Sequence, residues 1–359
     1  MSFAFDAGAG GGSAITGGVR PVVGYLVVNG AIIPVLQAEC QQTANNQSGH
    51  FNATVAVDAL PAGADEDYFA NTSPIQAAIA VSTQAGGQPT TLIQGSIDTT
   101  DFDAETRLFH VNGNDATAPL HRQKSSEKFL NQQPQDIITT VAQRVGLTAA
   151  ADSLGLFAGK IMQIDFAKMT EDISLGSIVH KMTEFMGANW YLDPATQVMH
   201  VRLASSASSG GYTITYSPGP PISGNFLTMR ITRKVPLSGN VAVTVKGWHT
   251  KRKQVIQSTK TMSGQGSGTL TYQYHVPNVE QDHADQHAAA KLANHTRHEL
   301  SVSVECVGDE TIDISKPLIL SGTKYDQSYD IDTINHVIGD RGYTMMIQAK
   351  SAKSGRSTS

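Results

Sequence analysis

Cysteine is nearly absent: the 359 residues hold only Cys40 and Cys306, neither in a CxxC or other ligand-spaced cluster. A thiolate zinc centre is thereby disfavoured. Both thiols are expected to be free, because an unpaired cysteine behaves as a small buried apolar residue. Charge is sparse too, at 16% of residues, and the formal balance of -5 is mild. Domains that grip nucleic acid by neutralising phosphates carry a basic surplus, so the balance argues against that class. No run reaches the roughly 20 apolar residues of a membrane-spanning helix. Met1 to Gly18 is rich in Gly and Ala and lacks both the basic start and the apolar centre of a secretory signal. It reads as a flexible arm on a chain made without export. GxSxG, P-loop and dinucleotide fingerprints are missing as well. Gly10-Gly11-Gly12 and the Gly264 to Gly268 run lack the strand–helix context that phosphate binding needs.

What is abundant is Gly, Ser, Thr, Gln and Asn, a composition suited to many short strands joined by polar turns. Val22 to Val28 ends at Asn29-Gly30, which favours a tight hairpin because both residues tolerate positive φ. Phe51, Ala53, Val55 and Val57 alternate on one face. Ile75 to Thr83, Leu92 to Thr99 and Arg107 to Gly113 supply further strands of a small sandwich or barrel. The period then changes. Gln133-Pro134 reads as a helix start, with Ile137, Ile138, Val141 and Val145 at helical spacing and Gly146 as the stop. A second helix carries Leu175, Ile178, Val179, Met182 and Met186, with Thr170 or Asp172 as cap and Gly187 at its end. Trp190 to Leu192 and Val198 to Val201 form a hairpin after it.

Strand patterning resumes at Phe226 to Lys234 and Val241 to Trp248, past the Ser/Gly-rich Ala204 to Gly211 linker. Gln281 to His298 is helical by propensity. Ser301 to Val307, Pro317 to Ser321, Tyr329 to Val337 and Tyr343 to Lys350 complete a second β-unit, with Tyr329, Ile331 and Thr333 expected on one face. Leu92-Ile93-Gln94-Gly95 and Leu318-Ile319-Leu320-Ser321-Gly322 each precede an Asp-bearing strand pair, which suggests an internal repeat.

Few residues offer chemistry. His283 and His287 are four apart on one helix face, with His295 and His298 beyond them. No Glu stands between the first pair and no third ligand is fixed, so a solvated polar face is preferred to a metal site. Asp98, Asp101, Asp103 and Glu105 lack the alternation and Gly turn of a calcium loop, and read as a solvated turn. Lys251-Arg252-Lys253 reads as an exposed loop, with a partner contact as the alternative. His336 and Tyr343 are assigned packed or hydrogen-bonded roles. Trp248 is assigned to core or interface, not to sugar stacking. No catalytic, cofactor or metal residue is nominated.

Three pieces of this sequence resemble the baseplate hub proteins of bacteriophages, including the late-control tail proteins. Leu318 to Gly322, the Tyr325 to His336 strand and Arg341-Gly342-Tyr343-Thr344 follow that family's order of a Gly-ended strand, a "fdG-x-Y-x-I-x-x-v-x-H" strand and a Gly-Tyr-Thr strand. Phe129 to Ile138 matches its "f-x-N-q-x-x-x-d-I-i" helix entry, with Gly146-Leu147 as the ending. Gly113-Asn114-Asp115 stands where members often have Gly-Arg-Asp, and the Asn departs from that pattern. The resemblance runs from about Pro21 to Lys350.

It implies a mainly β chain with α+β parts, built of two similar tube-like β-barrels, an α/β module and a helical insertion. The expected division is a flexible arm at 1–20, a first barrel at 21–114 and an α/β module of two helices and a hairpin at 115–205. A second barrel spans 206–250 and 299–350, interrupted by an insertion with a helix at 251–298, and 351–359 form a disordered tail. The implied role is non-enzymatic: a homotrimeric ring in the virion, assembled in the host cytoplasm, that adapts a sixfold tail tube to a threefold central spike. Its implied partners are a tube or distal tail protein, the spike and a tape-measure protein. DNA would pass through the lumen without specific binding, no membrane would be entered, and no cofactor would be needed. A tail-associated peptidoglycan hydrolase and a tail-tip glycan-binding protein are the opposing readings, and no segment offers an acid/base pair for the first.

Overall fold

The computed structural model describes residues 22–44, 47–61, 75–83, 87–125, 129, 132–153, 173–203, 210–250, 252–264, 268–276 and 279–351. The expected arm, the tail after 351, Thr170, Asp172 and Lys251 lie outside them. The first strands are β1 (Val23–Val28), β2 (Ala31–Pro34), β3 (Gln37–Thr43), β4 (His50–Ala56), β5 (Gln76–Ser82), β6 (Thr90–Asp103) and β7 (Leu108–Asp115). Asn29 and Gly30 turn β1 into β2 with φ of 48° and 88°, the positive angles that a two-residue hairpin needs. Sheet neighbours run β3-β4-β7-β6-β5-β1-β2, and the chain passes from β2 directly into β3. Val35 N–H bonds Gly24 O at 3.0 Å and Leu36 N–H bonds Thr54 O at 2.8 Å, so this strand changes partner midway and the path closes into a barrel. Leu26, Phe51, Val55, Ile79, Phe109 and Val111 fill it.

Next come α1 (Ala118–Arg122), β8 (Lys124–Ser125), α2 (Pro134–Arg144), β9 (Thr148–Ala151), β10 (Ile173–Ser174), α3 (Leu175–Met186), β11 (Ala188–Leu192) and β12 (Val198–Leu203). Helix α2 starts at Pro134, buries Ile137, Ile138 and Val141, and gives way to Gly146 at φ 78°. Helix α3 is capped by Ser174, whose Oγ accepts from Ser177 N–H at 3.2 Å, in place of the expected Thr170 or Asp172. Gly187 ends it at φ 67°, where only a residue without Cβ sits unstrained. The β11–β12 hairpin gains a third strand, β9, parallel to β12. Its Thr-Ala-Ala-Ala sequence has too little β-branched character to announce a strand. Both helices pack on this sheet around Trp190, Met199 and Val201.

The remaining elements are β13 (Tyr212–Ser217), β14 (Ser223–Gly224), β15 (Thr228–Arg233), β16 (Asn240–His249), β17 (Gln254–Met262), β18 (Thr269–His275), α4 (Gln281–Thr296), β19 (Leu300–Val307), β20 (Leu318–Ser321), β21 (Ser328–Gly339) and β22 (Gly342–Ser351). Strand β16 does not join the second barrel, as the sequence reading had it. It is the centre of a separate sheet ordered β17-β16-β18. Val241 and Val243 there pack with Leu292 of α4, while Val245 joins the core that α3 shares. The excursion from the barrel thus begins at Asn240, because β16 pairs along its whole length with β17 and β18.

The second barrel is ordered β15-β19-β22-β21-β20-β13-β14, around Ile214, Val304, Leu320, Tyr329, Ile334 and Ile347. Its strands follow the neighbour order of the first barrel, with β13 in the place of β1, β15 of β3, β19 of β4, β20 of β5, β21 of β6 and β22 of β7. The closing pair differs in sense: β1–β5 is antiparallel, whereas β13–β20 is parallel. The repeat seen in the sequence was placed one strand out, since Leu92 to Gly95 lies in β6 and Leu318 to Ser321 is β20. The matching segments are Ile97-Asp98-Thr99 and Ile331-Asp332-Thr333. Each carries a β-bulge at its Asp. The bulge also overturns the expected Tyr329, Ile331, Thr333 face. An inserted residue shifts the inward phase, and the buried set continues instead through Ile334, His336 and Ile338.

Candidate assembly surface

The two barrels are one continuous sheet because β21 has partners on both edges. Thr333 to Ile338 pair with β22 on one side and with Thr43 to Ala38 of β3 on the other. Across this seam Asn335 Nδ2 donates to Glu39 Oε1 at 2.7 Å, and Ala44 N–H extends the pairing to Asp332 O at 2.8 Å. His336 stands opposite Cys40, and its Nδ1 lies 2.8 Å from the Tyr343 hydroxyl. Burial lowers the His336 pKa to about 4 and raises the Cys40 thiol and the Tyr343 phenol well above their ordinary ranges. These three buried groups are therefore uncharged at neutral pH. His336 and Tyr343 hold the packed roles expected of them, and Cys40 and Cys306 are buried free thiols. Burial pushes Cys306 up to about 11.

Each bulge carboxylate is held by an arginine that follows or ends a helix. Asp332 Oδ1 accepts from Arg297 Nη2 at 2.8 Å, just past α4, and Asp332 also pairs with Lys350. Asp98 Oδ2 accepts from Arg122 Nη2 at 2.8 Å, at the end of α1, and from Asn114 Nδ2. The same position thus docks α1 against the first barrel and the end of α4 against the second. Asp115, next to the Asn114 that departs from the Gly-Arg-Asp pattern, is buried and accepts from Gly49 N–H at 2.7 Å and Thr117 N–H at 2.9 Å. Burial outweighs these bonds and raises its pKa.

The histidines do not form a solvated face. His283 is buried, and it and His287 lie 6.1 and 6.3 Å from the Phe185 ring of α3. His295 stacks on Tyr272 at 3.8 Å and meets the Tyr274 hydroxyl at 2.6 Å. Helix α4 is sandwiched between α3 and the β17-β16-β18 sheet, so its imidazoles pack on aromatic rings. Among the described residues no three or more His, Cys, Asp or Glu side chains converge as metal ligands would.

Asp101, Asp103 and Glu105 lie at the exposed outer end of the β6–β7 hairpin. Asp103 Oδ1 accepts from Glu105 N–H at 2.9 Å and Thr106 N–H at 3.3 Å, and the hydrogen bonds to Thr106 and Glu105 lower its pKa. Arg252 and Lys253 make the β16–β17 turn, with Lys253 at φ 48°. Trp248 is 53% exposed, in register with the equally open Val255, so it is not core. Beyond residue 97 the β5-side edge of β6 has no strand partner among the described residues. Likewise, β15 pairs with β19 alone. Sequence reading missed both edges; the exposed alternation of Thr228, Arg230 and Thr232 was the available signal.

No protein-family model and no curated protein sequence matches the chain. Solved structures do. The tail protein from Neisseria meningitidis MC58 is 12% identical with a TM-score of 0.69, over 92% of this chain and 96% of that one. The 43 kDa tail protein of prophage MuSo2 from Shewanella oneidensis is 14% identical with a TM-score of 0.66, over 93% and 100%. An E. coli component of the type VI secretion system, itself described as similar to T4 bacteriophage tail proteins gp27 and gp5, is 11% identical with a TM-score of 0.55, over 93% and 79%. A mainly β chain of paired barrels, joined through β21 and β3 and carrying an α/β module, thus has the fold of the bacteriophage tail proteins.

Proposed function

We propose that this chain is a structural baseplate hub subunit of a phage tail, acting as a homotrimeric ring. The carrying observation is that one chain holds two barrels of the same neighbour order, with matching Ile-Asp-Thr bulges, joined edge to edge by β21 and β3. Three such chains place six near-equivalent barrels around an axis. One face of that ring can seat a sixfold tube and the other a threefold spike. The axial channel would pass the tape-measure protein and DNA, and the mild net charge of -5 suits passage without adhesion.

The role needs no bond-making chemistry. The fold of the tail proteins it resembles supports a non-enzymatic reading, with virion location and assembly against tube or distal tail protein and spike. Mass measurement in solution, or copy number in the assembled particle, is expected to give three chains. Six copies, or a monomer within the particle, would sink the ring. A cell-wall zymogram with purified protein is expected to stay uncleared; a cleared band would restore the hydrolase reading.

A further inference from the structure

We propose that the ring closes by antiparallel pairing of β6 of one copy with β15 of the next. This rests on the trimeric reading above and names the strands that make its contact. The internal seam is the template. Leu36 N–H bonds Thr54 O at 2.8 Å and Leu227 N–H bonds Glu305 O at 2.7 Å, which aligns β3 with β15 residue for residue. The two Asp bulges align β21 with β6 in the same way. Within the chain, β21 and β3 pair; their counterparts β6 and β15 have no such partner among the described residues. A row of open N–H and C=O groups on a long exposed strand is a template for another strand. Transferring the internal register matches Asp103 with Arg230, Phe102 with Ile231, Asp101 with Thr232 and Thr100 with Arg233.

The side chains agree with that register. Asp101 takes the place of Asn335 and Arg230 that of Glu39, so the amide-to-carboxylate bond at 2.7 Å becomes a carboxylate facing a guanidinium. Acidic Asp101 and Asp103 lie on one edge, while Arg230, Arg233 and Lys234 line the other. Half-exposed Phe102 and Ile231 replace His336 and Cys40 as the apolar pair. Val235, 72% exposed, falls where Ala44 bonds the bulge carbonyl. Because the two edges differ, the contact is head-to-tail and closes by rotation. The occupant of each edge is therefore a second copy of this chain.

Charge reversal tests the pairing. Asp103→Arg or Arg230→Asp alone is expected to raise the midpoint concentration of trimer dissociation about tenfold, since like charges placed directly opposite repel. The double variant D103R/R230D is expected to return within about threefold of wild type, since it restores opposite charges across the same pair. In an otherwise unchanged chain, Asp101→Cys with Thr232→Cys is expected to oxidise into covalent trimers, because directly opposed strand residues fall within disulfide reach. A trimer that ignores both single reversals and yields no cross-link overturns the pairing and leaves the ring standing. A wild-type chain that stays monomeric overturns the ring itself, and this contact with it.

Discussion

His336 occupies the seam between barrels, where burial holds its ring neutral down to about pH 4 against an ordinary value of 6.5. The unfolded chain binds the proton first, so folded stability falls as pH drops from 6.5 towards about 4 and is unaffected above that window. Melting temperature is expected to decline between those limits in wild type and to decline less in His336→Gln, measured by scanning calorimetry. The bulge aspartates differ in how exposed their arginine partners are. Arg297 is 8% exposed and Arg122 58% exposed. Removing the Asp332 carboxylate leaves a buried guanidinium short of a partner, and Asp332→Ala is expected to cost about 3 kcal/mol or more. Asp98→Ala breaks a solvent-screened pair and is expected to cost about 1 kcal/mol or less. Urea unfolding of the two variants checks the contrast.

At the scale of elements, local chemistry was legible where a single residue dictates backbone conformation. Pro134 opens α2, Gly187 closes α3, and Asn29-Gly30 turns the first hairpin, each where the sequence placed it. Local chemistry failed at β9, whose strand state comes from pairing with β12, and at β16, whose alternation suits either sheet equally. It failed again at Thr333, because the bulge that changes the phase is a property of the β21–β22 pair and not of either strand. Close approach between strands imposes its own limits. A Cβ at Gly95 would lie 1.9 Å from the Asn114 carbonyl oxygen. Gly95→Ala is therefore expected to force β6 away from β7 and to cost about 1–3 kcal/mol, with lost amide protection along both strands as the local readout. Ser96→Ala, beside it, is the matched control.

Across the whole molecule, the seam and the exposed edges obey one geometry with different side chains. The internal junction centres on the buried His336, Cys40 and Tyr343, whereas the edges that would meet between copies carry opposite charges. Exposed opposed charges are screened at a Debye length of about 10 Å in 0.1 M salt and about 3 Å at 1 M. The trimer is accordingly expected to dissociate more readily as salt rises, while the melting temperature of the chain changes little. Sedimentation and calorimetry across one salt series measure both.

Composition, turn residues and periodicity were enough to assign the chain to short strands and to set the start of α2 and the end of α3, because those properties depend on neighbours within a few residues. The histidines of α4 show the opposite case: their spacing is that of an open polar face, and only the packing of α3 and the β17-β16-β18 sheet around them buried His283 and set His287 and His295 against aromatic rings. The correspondence between the barrels was read one strand out, because its true marker, Ile-Asp-Thr, is three residues long and too short to stand out. It emerged once the registers of the β6–β7 and β21–β22 pairs placed both aspartates at the same bulge, a property of paired strands that neither strand carries alone.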